Sequence, residues 1–403
     1  MEVTDIDLAD PGNFVEAVPH EWFAHLRREA PVQWHPDPAG FSDGFWSVTR
    51  YDDCVGVNRD YEHFSSYRAA TLFHDFDEEV LGQQRMMMLN MDPPMHTRYR
   101  RLVNKGFTPR MIRDLEVKVV AATDAILDTV CEQGSADFVE NVSAELPLQV
   151  IADLMGVPQE DRHLVFDWSN RMVGSDDPEY QVSPDAPAQA AMELFAYADE
   201  LCAKKRLDPH QDLFSVLTQA EIDGDQLSQL ELDLFFMLLA VAGNETTRNL
   251  ISGAMVAFFD HPDQWDRLLA DRSLLPSAIE EMLRYVSPVQ LTGRALTEDC
   301  RFGGVDFAAG DFAMLLLASG NRDPEQFDDP ERFDVARSPN NHLGFGFGIH
   351  HCLGAPLARM ETQVALTSLV RRAPDLALTV DDVTYKSNVV LRGMESLQVS
   401  MRG

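Results

Sequence analysis

With 66 acidic against 33 basic side chains in 403 residues, the chain carries a formal charge of −33, a field that repels nucleic acid and anionic lipid and excludes both as main partners. The sequence holds no run of about 18 apolar residues to span a bilayer, and the opening MEVTDIDLADPGNF lacks the basic cluster and apolar core of a signal peptide. Five widely spaced cysteines, at positions 54, 131, 202, 300 and 352, suit a reducing compartment rather than a disulfide framework, so a soluble cytoplasmic protein is expected.

In chain order, residues 1–30 form a polar lead ending in a short helix around 21–29, and alternation in Phe45-Trp46-Ser47-Val48-Thr49 predicts a strand. Residues 65–91 read as an irregular stretch carrying the run Met86-Met87-Met88. Their adaptable thioethers suit a loose core or a pliable substrate lid equally. Asp92-Pro93-Pro94 opens a helix. Met111, Leu115, Val119, Ile126 and Val130 make the apolar face of the next, and a third spans 146–155 before Gly156 and Pro158. The turn-rich, acidic segment 174–187 predicts a surface loop between helices near 160–173 and 188–206. From 230 to 259 runs the longest helical pattern, apolar nearly all round in its first half and therefore internal. A shorter helix follows Pro276 and stops at Ser287-Pro288; strands are expected near 302–307, 311–317, 376–380 and 396–400. With no repeat, linker or composition break, residues 1–403 read as one mainly α domain with a long central helix and a smaller β-rich part.

Residues 344–361 read GFGFGIHHCLGAPLARME. Cys352 stands between a glycine-rich segment and the helical spacing of Leu357, Met360, Val364 and Leu369, just before a helix N-terminus that favours a thiolate. Such a thiolate can be a nucleophile, a zinc ligand, an iron ligand or an inert core thiol. No second cysteine stands at a chelating spacing, no separate histidine base is marked out, and flanking glycines suit close approach of a flat macrocycle. A thiolate ligating haem iron fits best.

Three further constellations stand out. Ala242-Gly243-Asn244-Glu245-Thr246-Thr247 places glycine, a carboxylate and two β-branched hydroxyls in mid-helix. That composition predicts a local opening of the ladder, either a plain kink or a buried proton-delivery site. Glu281 and Arg284, at i and i+3, share a helix face and can pair; Glu280 has Leu283 at that spacing. In His96-Thr97-Arg98-Tyr99-Arg100-Arg101, His96 and Arg100 lie one turn apart and can both donate to an anion, or form a solvated basic face.

Taken together, Phe345-Gly346-Phe347-Gly348-Ile349-His350-His351-Cys352-Leu353-Gly354, the central A-G-N-E-T-T and the E-x-x-R pair resemble, in order, the motifs of the cytochromes P450, bacterial type. The resemblance implies the P450 fold and a haem-thiolate monooxygenase. Haem b (iron protoporphyrin IX) would be ligated by Cys352 within the Phe345–Gly354 loop, its propionates held by His96, Arg100, Arg294 and His350. Thr246 would organise water at the oxygen site and Glu245 would relay protons. Glu281 and Arg284 would lock with Arg332 to brace the cysteine loop. Met86, Met87, Met88, Leu238, Ala242, Val289, Leu291, Val389 and Val390 would line a pocket for a lipophilic molecule such as a lipid, steroid, terpenoid or polyketide. The sequence carries no G-x-G-x-x-G after a strand, so O2 would be reduced by electrons from a separate ferredoxin and its NAD(P)H-dependent reductase. That donor would be steered by a basic patch of Arg98, Arg101, Lys105 and Arg359. A monomer without a membrane anchor is expected. The alternatives are a peroxide-driven peroxygenase and a non-catalytic haem-thiolate sensor or carrier; Glu245 and Thr246 together argue against both. Asn244 departs from the commonest pattern, where histidine is frequent, and Phe347 stands where many members carry a polar or smaller residue.

Overall fold

A computed structural model describes residues 2–14, 17–36, 44–68, 78–173, 183, 185–380, 383–386 and 390–402. They fall into two units of three chain segments each. One comprises Met1–Asp92, Gly253–Cys352 and Thr384–Gly393; the other comprises Pro93–Ser252, Leu353–Val383 and Met394–Gly403.

The first unit is built on a five-stranded sheet, in the order Val32–Pro36, Gly44–Val48, Phe312–Leu316, Leu291–Leu296, Phe64–Ser65. Phe312–Leu316 runs parallel to Gly44–Val48, while every other pairing is antiparallel. Side chains alternate along a strand. Ala313 and Leu315 therefore join Val48, Val57, Phe64 and Leu296 on one face, while Met314 and Leu316 join Phe23, Leu26, Phe45 and Leu291 on the other. Burial on both faces explains why this strand reads as a continuous apolar run. The helix Leu275–Val286 carries proline in its first turn and ends where Ser287 turns left-handed (φ 48°) ahead of Pro288.

The second unit is mainly helical. Pro109–Gln133 starts where the Thr108 hydroxyl accepts from the Met111 amide (3.2 Å), ends at left-handed Gly134, and packs along Ala355–Arg372. Glu145–Met155 stops at Gly156, where φ is 73° and a side chain would overlap the buried Lys205–Asp212 ion pair. Arg162–Val173 and Ala186–Leu207 match the expected pair of helices, although most of the loop between them lies outside the described residues.

Four expectations need correction. The 230–259 pattern is two helices, Gln229–Ala242 and Glu245–Asp260, because the ladder opens at Gly243-Asn244. Within 65–91, expected to be irregular, lie the helix Glu78–Gln84 and a single turn Met88–Asn90. The strand predicted at 302–307 is a hairpin, Cys300–Phe302 with Val305–Phe307, folded at Gly303-Gly304, both at positive φ. Val32–Pro36 and Leu291–Leu296 are strands that the sequence reading did not pick out.

Candidate functional site

In the first unit, the segment before Cys352 is a tight loop. The Cys352 amide donates to the Phe345 carbonyl (2.9 Å), closing a turn that needs positive φ at Gly346 (68°) and Gly348 (70°). At Gly348 a side chain would sit 2.3 Å from the Asn58 carbonyl, so only glycine lets the loop rest on the helix Tyr51–Arg59. Cys352 is half-buried and in no disulfide, and His350 ends a single helical turn, Gly348–His350. Among the described residues, no three His, Cys, Asp or Glu side chains gather as a metal cluster, which leaves zinc without a ligand set.

Asn58 has a second role. Its side-chain oxygen accepts from Arg294 Nη2 (3.0 Å) and its amide donates to the Cys54 carbonyl (3.0 Å), so one buried residue links the loop to Arg294. Arg294 also donates to the Gly293 carbonyl (2.6 Å). Burial lowers its guanidinium to about 10, opposed only by the more distant Asp92 carboxylate. A buried cation whose hydrogen bonds go to neutral oxygens has charge left for an anion.

The Glu281–Arg284 pair lies in the same unit and is fully buried. Arg284 donates through Nε and Nη2 to both Glu281 oxygens (2.8 Å each), and through Nη1 to the carbonyls of Asn321 and Pro330 (2.8 Å each). The third charge is not Arg332. Its guanidinium is exposed and only its carbonyl takes part, accepting from Arg284 Nη2 (3.1 Å), because the chain turns through Asp329 and Arg332 with side chains outward. Arg337 supplies the guanidinium, with Nε 3.2 and 3.1 Å from the Glu281 oxygens, and the Asp334 amide (2.9 Å) and Asn340 (3.0 Å) complete the shell. Glu280 binds His342 instead (3.0 Å).

Other predicted residues of this unit divide. Val289 and Leu391 form an antiparallel bridge, and the Gln290 amide donates to the Val390 carbonyl (2.9 Å), which brings Val289 and Val390 together. Leu291 belongs to the sheet core at 1 % exposure and Met88 is buried at 7 %, whereas Met86 is exposed and Met87 half-buried. The methionine run therefore serves core and surface at once. Val389 lies outside the described residues.

In the second unit, the helix break defines the site. The Thr246 hydroxyl donates to the Ala242 carbonyl (2.8 Å), which the open ladder leaves available. Ala242 is exposed and Leu238 half-buried, one turn apart on a helix whose Leu232, Phe235, Phe236 and Leu239 are buried. Glu245 is buried and paired with Arg248 at i+3. Buried His96 and half-buried Arg100 share one face of Met95–Val103. The basic patch is less open than the sequence suggests. Arg98 is clamped by Asp225 (2.6 and 2.9 Å) and Glu231 (2.6 Å), Arg101 meets Asp223 (3.3 Å), and Lys105 donates to the Glu221 carbonyl. Asp223 and Asp225 arrive on the hairpin Glu221–Ile222 and Asp225–Gln226, and Glu231 on the first turn of the following helix, so sequence spacing gives no sign of them.

Comparison with known proteins decides the family. The Cytochrome P450 family profile matches residues 47–373. The chain is 40 % identical to a steroid C26-monooxygenase of Rhodococcus jostii (strain RHA1), covering 98 % of this chain and 84 % of that protein. It is also 40 % identical to a methyl-branched lipid omega-hydroxylase of Mycobacterium bovis (strain ATCC BAA-935 / AF2122/97), covering 94 % and 90 %. The crystal structure of CYP109E1 from Bacillus megaterium in complex with testosterone superposes with a TM-score of 0.85 at 36 % identity, covering 96 % of this chain and all of that one. The chain belongs to the cytochrome P450 family. As a P450 it is a haem b-binding oxidoreductase, a monooxygenase, with the mainly α P450 fold. The residues present fit that cofactor. A cysteine in no disulfide follows a glycine-turned loop, and a buried guanidinium that donates to the Gly293 and Asn58 oxygens suits a propionate. Among the described residues no helix is long and apolar enough to cross a membrane.

Proposed function

We propose that this P450 hydroxylates a terminal or branch methyl group on the aliphatic part of a steroid-like or methyl-branched lipid. The observation that carries the reading is its 40 % identity, over nearly its whole length, to a steroid C26-monooxygenase and to a methyl-branched lipid omega-hydroxylase. Partly exposed apolar side chains support it, Leu238 and Ala242 in the second unit and Val289 and Val390 in the first.

Haem would be held by Cys352 and would supply the oxygen activation. This chain's residues do the rest. Arg294 and His350, with His96 and Arg100, hold the propionates. Thr246 donates its proton to the Ala242 carbonyl, so its oxygen remains an acceptor that orients water. Glu245 passes protons inward, and the Glu281–Arg284–Arg337 brace holds the segment leading to the loop. Electrons come from a ferredoxin and its reductase in the cytoplasm, docking near Arg101 and Arg359. We read residues 1–403 as one domain, because each unit is assembled from three interleaved chain segments.

The test is titration of the haem-loaded protein with a sterol bearing an intact side chain and with a methyl-branched fatty acid. Binding should shift the Soret band, and turnover with a ferredoxin system should give a singly hydroxylated product. Shifts with hydrophilic ligands alone, or turnover with peroxide but not with ferredoxin, would overturn the reading. Cys352→Ser should abolish the thiolate-type carbon monoxide spectrum.

A further inference from the structure

We propose that Arg248 is a positioning residue for proton delivery, holding the Glu245 carboxylate in a fixed orientation, and that the amides of Asn244 and Asn249 hold the water that reaches it. The proposal rests on the relay role assigned to Glu245 above and names what orients it.

Glu245 is the first residue of its helix and Arg248 stands one turn on, so the two share a face. Arg248 Nη2 donates to Glu245 Oε2, and the side chains are 6 % and 12 % exposed. An ion pair kept only for stability would have its remaining polar atoms satisfied, because each orphaned group costs desolvation energy. Here they are not. Arg248 Nε, both polar atoms of the Asn244 amide and both of the Asn249 amide are buried without a hydrogen-bond partner, although these residues are only 5 %, 1 % and 2 % exposed. Asn244 stands in the break before the helix, and Asn249 within it is a poor helix former. Buried groups of this kind are satisfied by ordered water. Five such atoms within six residues make a polar strip beside the carboxylate that water would satisfy.

The division of labour follows from the atoms. Arg248 occupies Oε2, so the proton is handled at Oε1. Oε1 takes a proton from one water, which solvent re-protonates, and gives it to a second water, which passes one of its own protons inward; the carboxylate is regenerated. Asn244 and Asn249 offer both donors and acceptors, so they orient such waters in either sense. With the pair fixed, Glu245 need not search rotamers at each turnover.

The experiment uses the haem-loaded protein with its ferredoxin system. Arg248→Gln should lower the share of electrons reaching product about ten-fold, raise peroxide release and enlarge the solvent isotope effect, with Arg248→Lys restoring about half the loss. Isotope-edited infrared spectra of the substrate-free protein should show displaced Glu245 carboxylate bands in Arg248→Gln and recovered bands in Arg248→Lys. Lowered thermal stability with unchanged coupling, isotope effect and carboxylate bands would make the pair structural and overturn the proposal. If Glu245→Gln leaves coupling intact, the relay reading itself fails; if it uncouples while Arg248→Gln does not, only the role of Arg248 falls. Should Arg248→Gln fail to retain haem, Asn244→Ala and Asn249→Ala keep the ion pair and carry the test. Each should enlarge the isotope effect, and an unchanged value in both would overturn the water assignment.

Discussion

Two E-x-x-R pairs in this chain have the same spacing and opposite surroundings. Glu281–Arg284 and Glu245–Arg248 both join i to i+3 on a helix, and both are buried. Around Glu281 each carboxylate oxygen takes several donors and Arg284 spends its guanidinium on three backbone carbonyls. Around Glu245 the pair stands among orphaned amides. A saturated network specifies one geometry and has no capacity left for chemistry. An unsaturated one is costly to fold, and that cost persists where water and protons must pass. The local motif is identical; the environment assigns the role.

That contrast can be broken from its rigid side first. Glu281→Ala leaves the guanidiniums of Arg284 and Arg337 buried without their carboxylate and should cost about 3–5 kcal/mol in urea unfolding, with loss of haem retention. From the reactive side, Thr246→Ala should leave stability within about 0.5 kcal/mol. It should lower the yield of product per electron about ten-fold, read as peroxide released during turnover.

A third buried acid sharpens the comparison. Glu361 is 2 % exposed, its Oε2 has no hydrogen-bond partner, and burial alone pushes its carboxyl well above the ordinary range. The folded chain therefore keeps a proton that the unfolded chain releases. Stability should fall as pH rises from the ordinary carboxylate range toward the raised value, at about 1.4 kcal/mol per pH unit. Glu361→Gln should flatten that slope, checked by urea midpoints from pH 5 to pH 8. The smallest effect belongs to Arg332→Ala, which removes no brace contact and should change stability by less than about 0.5 kcal/mol, against a larger loss for Arg337→Ala.

Much of this was legible in the sequence where local chemistry decides. Gly156, Pro276 and Ser287-Pro288 mark helix ends by backbone conformation alone. The interruption at Gly243-Asn244 follows from propensity, and the glycines before Cys352 announce a backbone that side chains would block. Long-range pairing was invisible. Arg337 rather than Arg332 meets Glu281 because of how the 328–340 segment turns, and Asn58 gained its role from a loop nearly three hundred residues on. Asp225, which clamps Arg98, and Asp223, which meets the still exposed Arg101, sit on a two-residue-strand hairpin too short to show periodicity. Leu291 looked like a pocket residue and proved to be sheet core, since a strand buried on both faces has no alternation to distinguish its sides.

The parallel pairing of Gly44–Val48 with Phe312–Leu316 also sets a schedule for the chain's birth. Val48 has its ladder partner at Leu315, so the N-terminal hairpin leaves the ribosome with an unpaired apolar edge. At ordinary elongation rates its neighbour follows on the order of tens of seconds later. Until then Phe45, Trp46 and Val48 have no sheet to join. Expression yield should therefore depend on chaperone capacity and translation speed across residues 50–312 rather than on the final stability of the fold.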